Sequence, residues 1–184
     1  PRGQGRRFVR SNPTFTKRLA MELDITDAVE SSADASLIWR RMLEPSAVIG
    51  LLGGKAAGIR AYRFEDSPAD EGHTFTITGA GGGLYHARID ERTERSAISY
   101  TVWRDDSPDS SMILRFWIDD PGPRRTISGE VTMDMPLEEL FASFSLASML
   151  ALPLVGRLVR RYMARRLRSQ LLSIAASRDE HEAR

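Results

Sequence analysis

Between Lys55 and Met135 apolar residues recur at every second position in six successive stretches: "AAGIRAYRFED", "GHTFTITG", "LYHARIDER", "AISYTVWRD", "MILRFWIDD" and "RTISGEVTMDM". A period of two is that of a strand with one face buried and the other wet. Most gaps carry turn chemistry, at "DSPADEG", "GAGGG", "DDSPDSS" and "DPGP", while "ERTERS" has neither Gly nor Pro. Gaps this short join antiparallel neighbours, because a parallel crossover needs roughly a dozen residues or more. Ahead of them "MELDITDAVES" alternates in the same way, with Leu23, Ile25, Asp27 and Val29 on one phase, so seven antiparallel strands are expected. Asp27 falls on the buried phase and therefore needs a bulge or a sheet edge to reach water.

The segments on either side have a helical period. In "SADASLIWRRMLEP", Ala35, Ile38, Trp39, Met42 and Leu43 share one helix face. Ser32 is the expected N-cap and Pro45 the stop. "SAVIGLL" makes a second short helix, ended by Gly53 and Gly54. After the last strand, "PLEELFASFSLASMLA" opens with a proline and two glutamates, a favourable helix start. In the following "LPLVGRLVRRYMARRLRSQLLSIAASR", Val155, Leu158, Val159, Tyr162, Met163, Leu167, Leu171 and Ile174 form an apolar arc. Arg157, Arg161, Arg165 and Arg168 gather opposite, so one face is expected to be buried and the other solvated. Burial of a large apolar side chain is worth about 1.5–3 kcal/mol, against about 0–1 kcal/mol for an exposed ion pair.

Composition narrows the function classes. The formal net charge of the 184-residue chain is +1, which argues against a dedicated nucleic-acid binder. With no cysteine, disulfides and thiolate metal sites are excluded, and His73, His86 and His181 set no zinc spacing. No metal or cofactor is expected, and a cytoplasmic home is the default. "LFASFSLASMLALPLV", the most apolar run, is too short and too interrupted for a bilayer span of about 20 residues. Residues 1–20 read as a loose arm, native or appended, 21–178 as one domain and 179–184 as a disordered tail. The preference for arginine over lysine fits a GC-rich bacterial source.

The element order, with "ITDAVESSADASLIWRRMLEP" near the start and "LPLVGRLVRRYMARRLRSQLLSIAAS" at the end, resembles the START-related, Bet v 1-like helix-grip superfamily. That group, also called SRPBCC, includes bacterial polyketide cyclase/dehydrase and lipid-transport proteins. The likeness runs from about Met21 to Ser177 and rests on order and pattern, not on a catalytic signature. It implies an α+β helix-grip fold: a curved seven-stranded antiparallel sheet around a long C-terminal helix, with two short helices after the first strand. One helix cannot fill the concave face of such a sheet, so an apolar cavity between them is the expected ligand site.

The more apolar strand phase places Phe75, Ile77, Tyr85, Ala87, Ile89, Ile98, Tyr100, Val102, Met112, Leu114, Phe116, Ile118, Val131, Met133 and Met135 inward. The site candidates among them are Phe75, Tyr85, Tyr100, Met112, Leu114, Phe116 and Met133, joined by Met163, Arg166 and Leu167 of the last helix. Methionines adapt to varied apolar shapes, and a tyrosine hydroxyl can orient a ligand carbonyl or bond a backbone group. Arg166 falls within the apolar arc, between Val155 and Val159, and not with Arg157, Arg161, Arg165 and Arg168. It is expected either to snorkel to the rim or to meet a ligand carboxylate or phosphate.

Other motifs fail on spacing. "TGAGGGLY" has Leu84 where a dinucleotide fingerprint needs glycine, and a strand follows it; "GLLGGKA" has Ala56 in place of the Ser/Thr of a phosphate loop. No G-x-S-x-G occurs, and His86 alternates onto the solvent phase. The expected function is binding or transport of a hydrophobic small molecule such as a lipid or polyketide. A second class is enzymatic, a polyketide aromatase/cyclase or dehydratase using a cavity Tyr, Arg or His. The third is docking of the basic C-terminal helix on an anionic membrane, or of a sheet edge on a protein partner such as a second copy of the chain.

Overall fold

The alternating stretches pair as one seven-stranded antiparallel sheet in the order β1-β7-β6-β5-β4-β3-β2. The strands are β1 (Ala20–Ser31), β2 (Ala61–Phe64), β3 (Thr74–Thr78), β4 (Leu84–Thr93), β5 (Ala97–Arg104), β6 (Ser107–Asp119) and β7 (Arg125–Pro136). The helices are α1 (Ala35–Leu43), α2 (Pro45–Leu51) and α3 (Leu152–Ala175). This computed structural model describes residues 20–52, 61–64, 71–79, 82–119, 124–136 and 152–176. The expected arm, all of it before Ala20, the expected tail and the expected helix over 137–151 lie outside those residues. So does the start of the strand expected from Lys55.

From β2 to β7 each strand pairs with its successor, as short turns require. The long-range closure is β1 on β7, in register from Ala20↔Pro136 to Ser31↔Arg125. Because β1 and β2 lie at opposite edges, the segment holding α1 and α2 carries the chain across the sheet. "ERTERS" turns without glycine because Arg95 itself takes the left-handed conformation, φ 59°. Two sequence expectations shift here. "SPDSS" belongs to β6, and the chain turns instead at Asp105 and Asp106, with the Asp105 amide bonded to the Leu84 carbonyl. Pro136, read in the sequence with the segment that follows it, is the last residue of β7.

α1 is capped by Asp34, not Ser32: the Asp34 carboxylate accepts from the Ser36 amide at 2.8 Å and from the Ser36 hydroxyl. These bonds hold the Asp34 carboxyl below its ordinary value. α1 buries Ile38, Trp39 and Met42, and Pro45, which stops α1, serves as the first residue of α2.

α3 lies along β1 in the same direction. Arg160 Nη2 donates to the Asp24 carbonyl at 2.9 Å, Arg168 Nη1 meets Asp27 Oδ1 at 3.2 Å, and Ser31 Oγ donates to the Ala175 carbonyl at 2.7 Å. The lengths agree, since Arg160 to Ala175 is about 22 Å of helix and Asp24 to Ser31 about 23 Å of strand. Asp27 thus keeps its inward phase, and the sheet edge supplies it with a cation.

α3 packs closely on the sheet at Gly129 of β7. A β-carbon there would stand 2.9 Å from Leu167 Cδ1, 3.1 Å from Leu171 Cδ2 and 3.3 Å from Phe116 Cδ1. Gly50 likewise lets α2 approach Gln170, whose Oε1 occupies the space of a side chain at that position. The arc expected to be buried is narrower than its apolar residues. Met163, Leu167, Leu171 and Ile174 are buried, but Leu158 and Tyr162 are exposed. The buried line includes Gln170, so its centre is rotated away from Leu158 and Tyr162.

Candidate ligand site

Cross-strand register lines up the inner face in rows. One row runs Leu23, Met133, Met112, Val102, Ala87, Phe75 from β1 to β3. The next runs Ile25, Val131, Leu114, Tyr100, Ile89, and the third Asp27, Gly129, Phe116, Ile98, Arg92. Since Arg160 meets Asp24 and Arg168 meets Asp27, Val159 sits near the level of the first row, Met163 nearer the second, and Leu167 and Leu171 against Gly129 of the third.

Burial is graded along these rows. Tyr100, Leu114, Phe116, Val131, Leu167 and Leu171 expose no surface, so side chains close the space around them in this structure. In the first row Leu23 retains 7% and Met112 6%, and Met133 is half-buried; Met163 on α3 retains 7%, Val159 is half-buried, and so is Tyr85, one row further out on β4 beside Ile77 and Arg104. The region between sheet and α3 is therefore closely packed at Gly129, while Met133 and Val159 keep partial exposure; Val29 and Ile118, at the other end of the inner face, retain 7% and 8%. Phe75, at the far end of the first row, is buried with its ring edge-on to Tyr100, centroids 6.3 Å apart.

The polar candidates have partners that define what they can do. Tyr100 Oη donates to the Met42 carbonyl at 2.6 Å, fastening β5 to α1. Burial pushes its phenol above the ordinary tyrosine value, with the charge of Arg92 opposing. Its hydroxyl hydrogen is committed to the Met42 carbonyl. Tyr85 lies with its ring 5.8 Å from the Arg104 guanidinium carbon. Arg166, half-buried at the side of the buried line, donates Nε to Tyr162 Oη at 3.1 Å and sits 5.1 Å over the Tyr162 ring. His86 occupies the outer face as its phase requires, stacked on Trp103 and 3.3 Å from Asp105.

A concavity of about 200 Å³ lies on strands β4 to β6, lined mainly by outer-phase residues and also by Ile98 and Phe116. Glu91 and Thr93 of β4, Ala97 and Ser99 of β5, and Arg115 and Trp117 of β6 surround it. These are direct cross-strand partners, Glu91↔Ser99↔Arg115 and Thr93↔Ala97↔Trp117, with the small side chains of β5 as the floor. A register shift between Ile89 and Glu91 bends β4 beside it. Its cation, Arg115, is paired with Glu130 at 3.4 Å. The sequence phase hid this concavity, because attention to the apolar face passes over small residues on the other.

The seven strand-phase and three helix candidates thus share one face of the sheet or the helix that covers it. Sequence reasoning missed Leu23 and Val159 as companions of the methionines, and missed Ile127 and Gly129 as core positions. Leu23 carried the right phase but belongs to a strand whose partner, β7, is distant in sequence; Gly129 carried no hydrophobic signal.

No protein-family model matches the chain, and no curated protein matches it. Solved structures do match. Protein CV1439 from Chromobacterium violaceum is similar over 85% of this chain and 98% of its own, at 17% identity and a TM-score of 0.51. Norcoclaurine synthase from Thalictrum flavum, in complex with dopamine and hydroxybenzaldehyde, is similar over 88% of this chain and 95% of its own, at 10% identity and a TM-score of 0.51. DR_A0006 from Deinococcus radiodurans is similar over 83% and 95%, respectively, at 11% identity and a TM-score of 0.50. At these identities the likeness is one of fold, and the chain has the Bet v 1-like helix-grip fold.

Proposed function

We propose that the chain binds a hydrophobic small molecule between the sheet and α3, admitted at the row of Leu23, Met133 and Met112 and covered by Val159 and Met163. The observation that supports this reading is the half-burial of Met133 and Val159, set against the close packing of α3 on Gly129. Methionine side chains reshape at low cost, so a ligand can be housed there without breaking the sheet. In this reading Met112, Met133, Met163 and Tyr85 touch the ligand. Phe75, Tyr100, Leu114, Phe116 and Leu167 form the packed backing, and Arg166 stands at the rim. The complex of norcoclaurine synthase with dopamine and hydroxybenzaldehyde supports the idea that this fold can hold small aromatic molecules.

Binding is favoured over catalysis because the polar candidates that the sequence offered as acid or base are engaged elsewhere. Tyr100 is committed to a backbone carbonyl, and His86 is on the other side of the sheet. Native mass spectrometry of the purified protein is expected to show a co-purified apolar molecule. Replacing Met112 and Met133 together by Trp should fill the space and weaken binding of an environment-sensitive apolar dye by about tenfold or more, equivalent to ~1.4 kcal/mol. The outer-face substitution Thr76→Ala should leave dye binding unchanged. A dye affinity indifferent to both methionines would overturn the site.

A further inference from the structure

The solvent face of α3 is not a polar face. Three large apolar side chains stand out from it, Leu158 at 60% exposure, Tyr162 at 50% and Leu172 at 54%. At about 100° per residue they share one side of the helix with Arg157, Arg161, Arg165 and Arg168, opposite the buried Met163, Leu167, Gln170 and Ile174. α3 contains no acidic residue from Leu152 to Ala175. Arg168 is engaged with Asp27, Arg160 with the Asp24 carbonyl and Arg166 with Tyr162. Among the described residues no carboxylate pairs with Arg157, Arg161 or Arg165.

We propose that this face seats the protein on an anionic lipid surface. Leu158, Tyr162 and Leu172 would enter the headgroup layer, and Arg157, Arg161 and Arg165 would lie against lipid phosphates. Charge and shape both favour a membrane as the occupant. The apolar residues are spread over about 21 Å of one helix and interleaved with cations, a flat pattern that matches an interface and not a single pocket on a protein. Tyrosine, with an apolar ring and a polar tip, suits the headgroup boundary. The formal net charge of the whole chain is only +1, so attraction to an anionic surface depends on this concentration of arginine and orients the molecule with α3 downward. Among the described residues no helix is long and apolar enough to cross a membrane, and docking requires none to do so. The other side of α3 stays on the sheet, so the proposal stands apart from the ligand reading.

The test is co-sedimentation of the full chain with phosphatidylcholine vesicles, with and without added phosphatidylglycerol. Binding is expected only with the anionic lipid, falling as salt is raised. One arginine near such a surface is worth about fivefold in partitioning, so R157Q/R161Q/R165Q should lose about a hundredfold. Leu158→Ser and Tyr162→Ser should each weaken binding further. All these positions are exposed, and an unchanged circular dichroism spectrum verifies the fold. Absence of binding to phosphatidylglycerol vesicles at low salt overturns the proposal. So does binding that the triple substitution leaves intact, or capture by polyglutamate with none by vesicles. Trp at Met112 and Met133 should not alter sedimentation, which separates failure here from failure of the ligand site.

Discussion

Tyr100 joins two elements through one atom: its ring is fully buried against Phe75, and its hydroxyl donates to the Met42 carbonyl at 2.6 Å near the end of α1. Carbonyls in the last turn of a helix have no intrahelical donor, so Tyr100→Phe leaves a buried acceptor unsatisfied. The expected cost is about 1–3 kcal/mol, read as a lower urea midpoint with an unchanged m-value. A pH effect follows from the raised phenol. The unfolded chain ionises Tyr100 near pH ~10 and the folded one only above it. The folded state therefore binds the extra proton, and stability is lost as pH rises past the unfolded value. Urea midpoints measured from about pH 8 to 11 should fall more steeply for the native protein than for Y100F. Parallel curves would show that burial does not set the titration of Tyr100.

At the scale of elements, the C-terminus of α3 is secured by α1 and β1. Arg41 Nη1 donates to the carbonyls of Ile174 at 3.2 Å, Ser173 at 3.4 Å and Ala176, while Ser31 Oγ donates to Ala175. A cation is the favourable partner for a helix C-terminus, where orphan carbonyls and the negative end of the macrodipole coincide. Arg41→Met keeps most of the apolar stem and should still cost about 1–2 kcal/mol, with faster amide exchange confined to the last turn of α3. Exchange that rises across the whole sheet would contradict a local clamp. None of this clamp was legible in "SLIWRRML", because its acceptor is a helix end more than a hundred residues away. The strands were legible, since alternation is local and each turn lies beside it. Asp34 took the capping role expected of Ser32 because α1 begins at Ala35, and a helix start is set by tertiary packing as much as by propensity. Leu158 and Tyr162 looked buried because a helical wheel shows an apolar arc but not which part of it meets the sheet.

For the whole molecule, the difference in packing on which the proposed ligand site rests also orders its stability. The middle rows are sealed by Tyr100, Leu114, Phe116 and Val131 against Leu167 and Leu171, and Gly129 brings α3 close enough to exclude a methyl group. The Met133 end has half-buried side chains from both sheet and helix. Regions with fewer fully buried contacts open at lower free energy, and binding sites are drawn from them by necessity. Native-state hydrogen exchange should therefore be slowest in the centres of β5, β6 and β7 and in the C-terminal half of α3. It should be faster around Val159 and along β7 near Met133, in one step that precedes global unfolding. A bound apolar molecule should slow exchange in that second group and leave the first nearly unchanged, because a ligand stabilises only the openings that release it. Equal protection at both ends of α3, or ligand protection centred on Gly129, would mean that the molecule opens elsewhere.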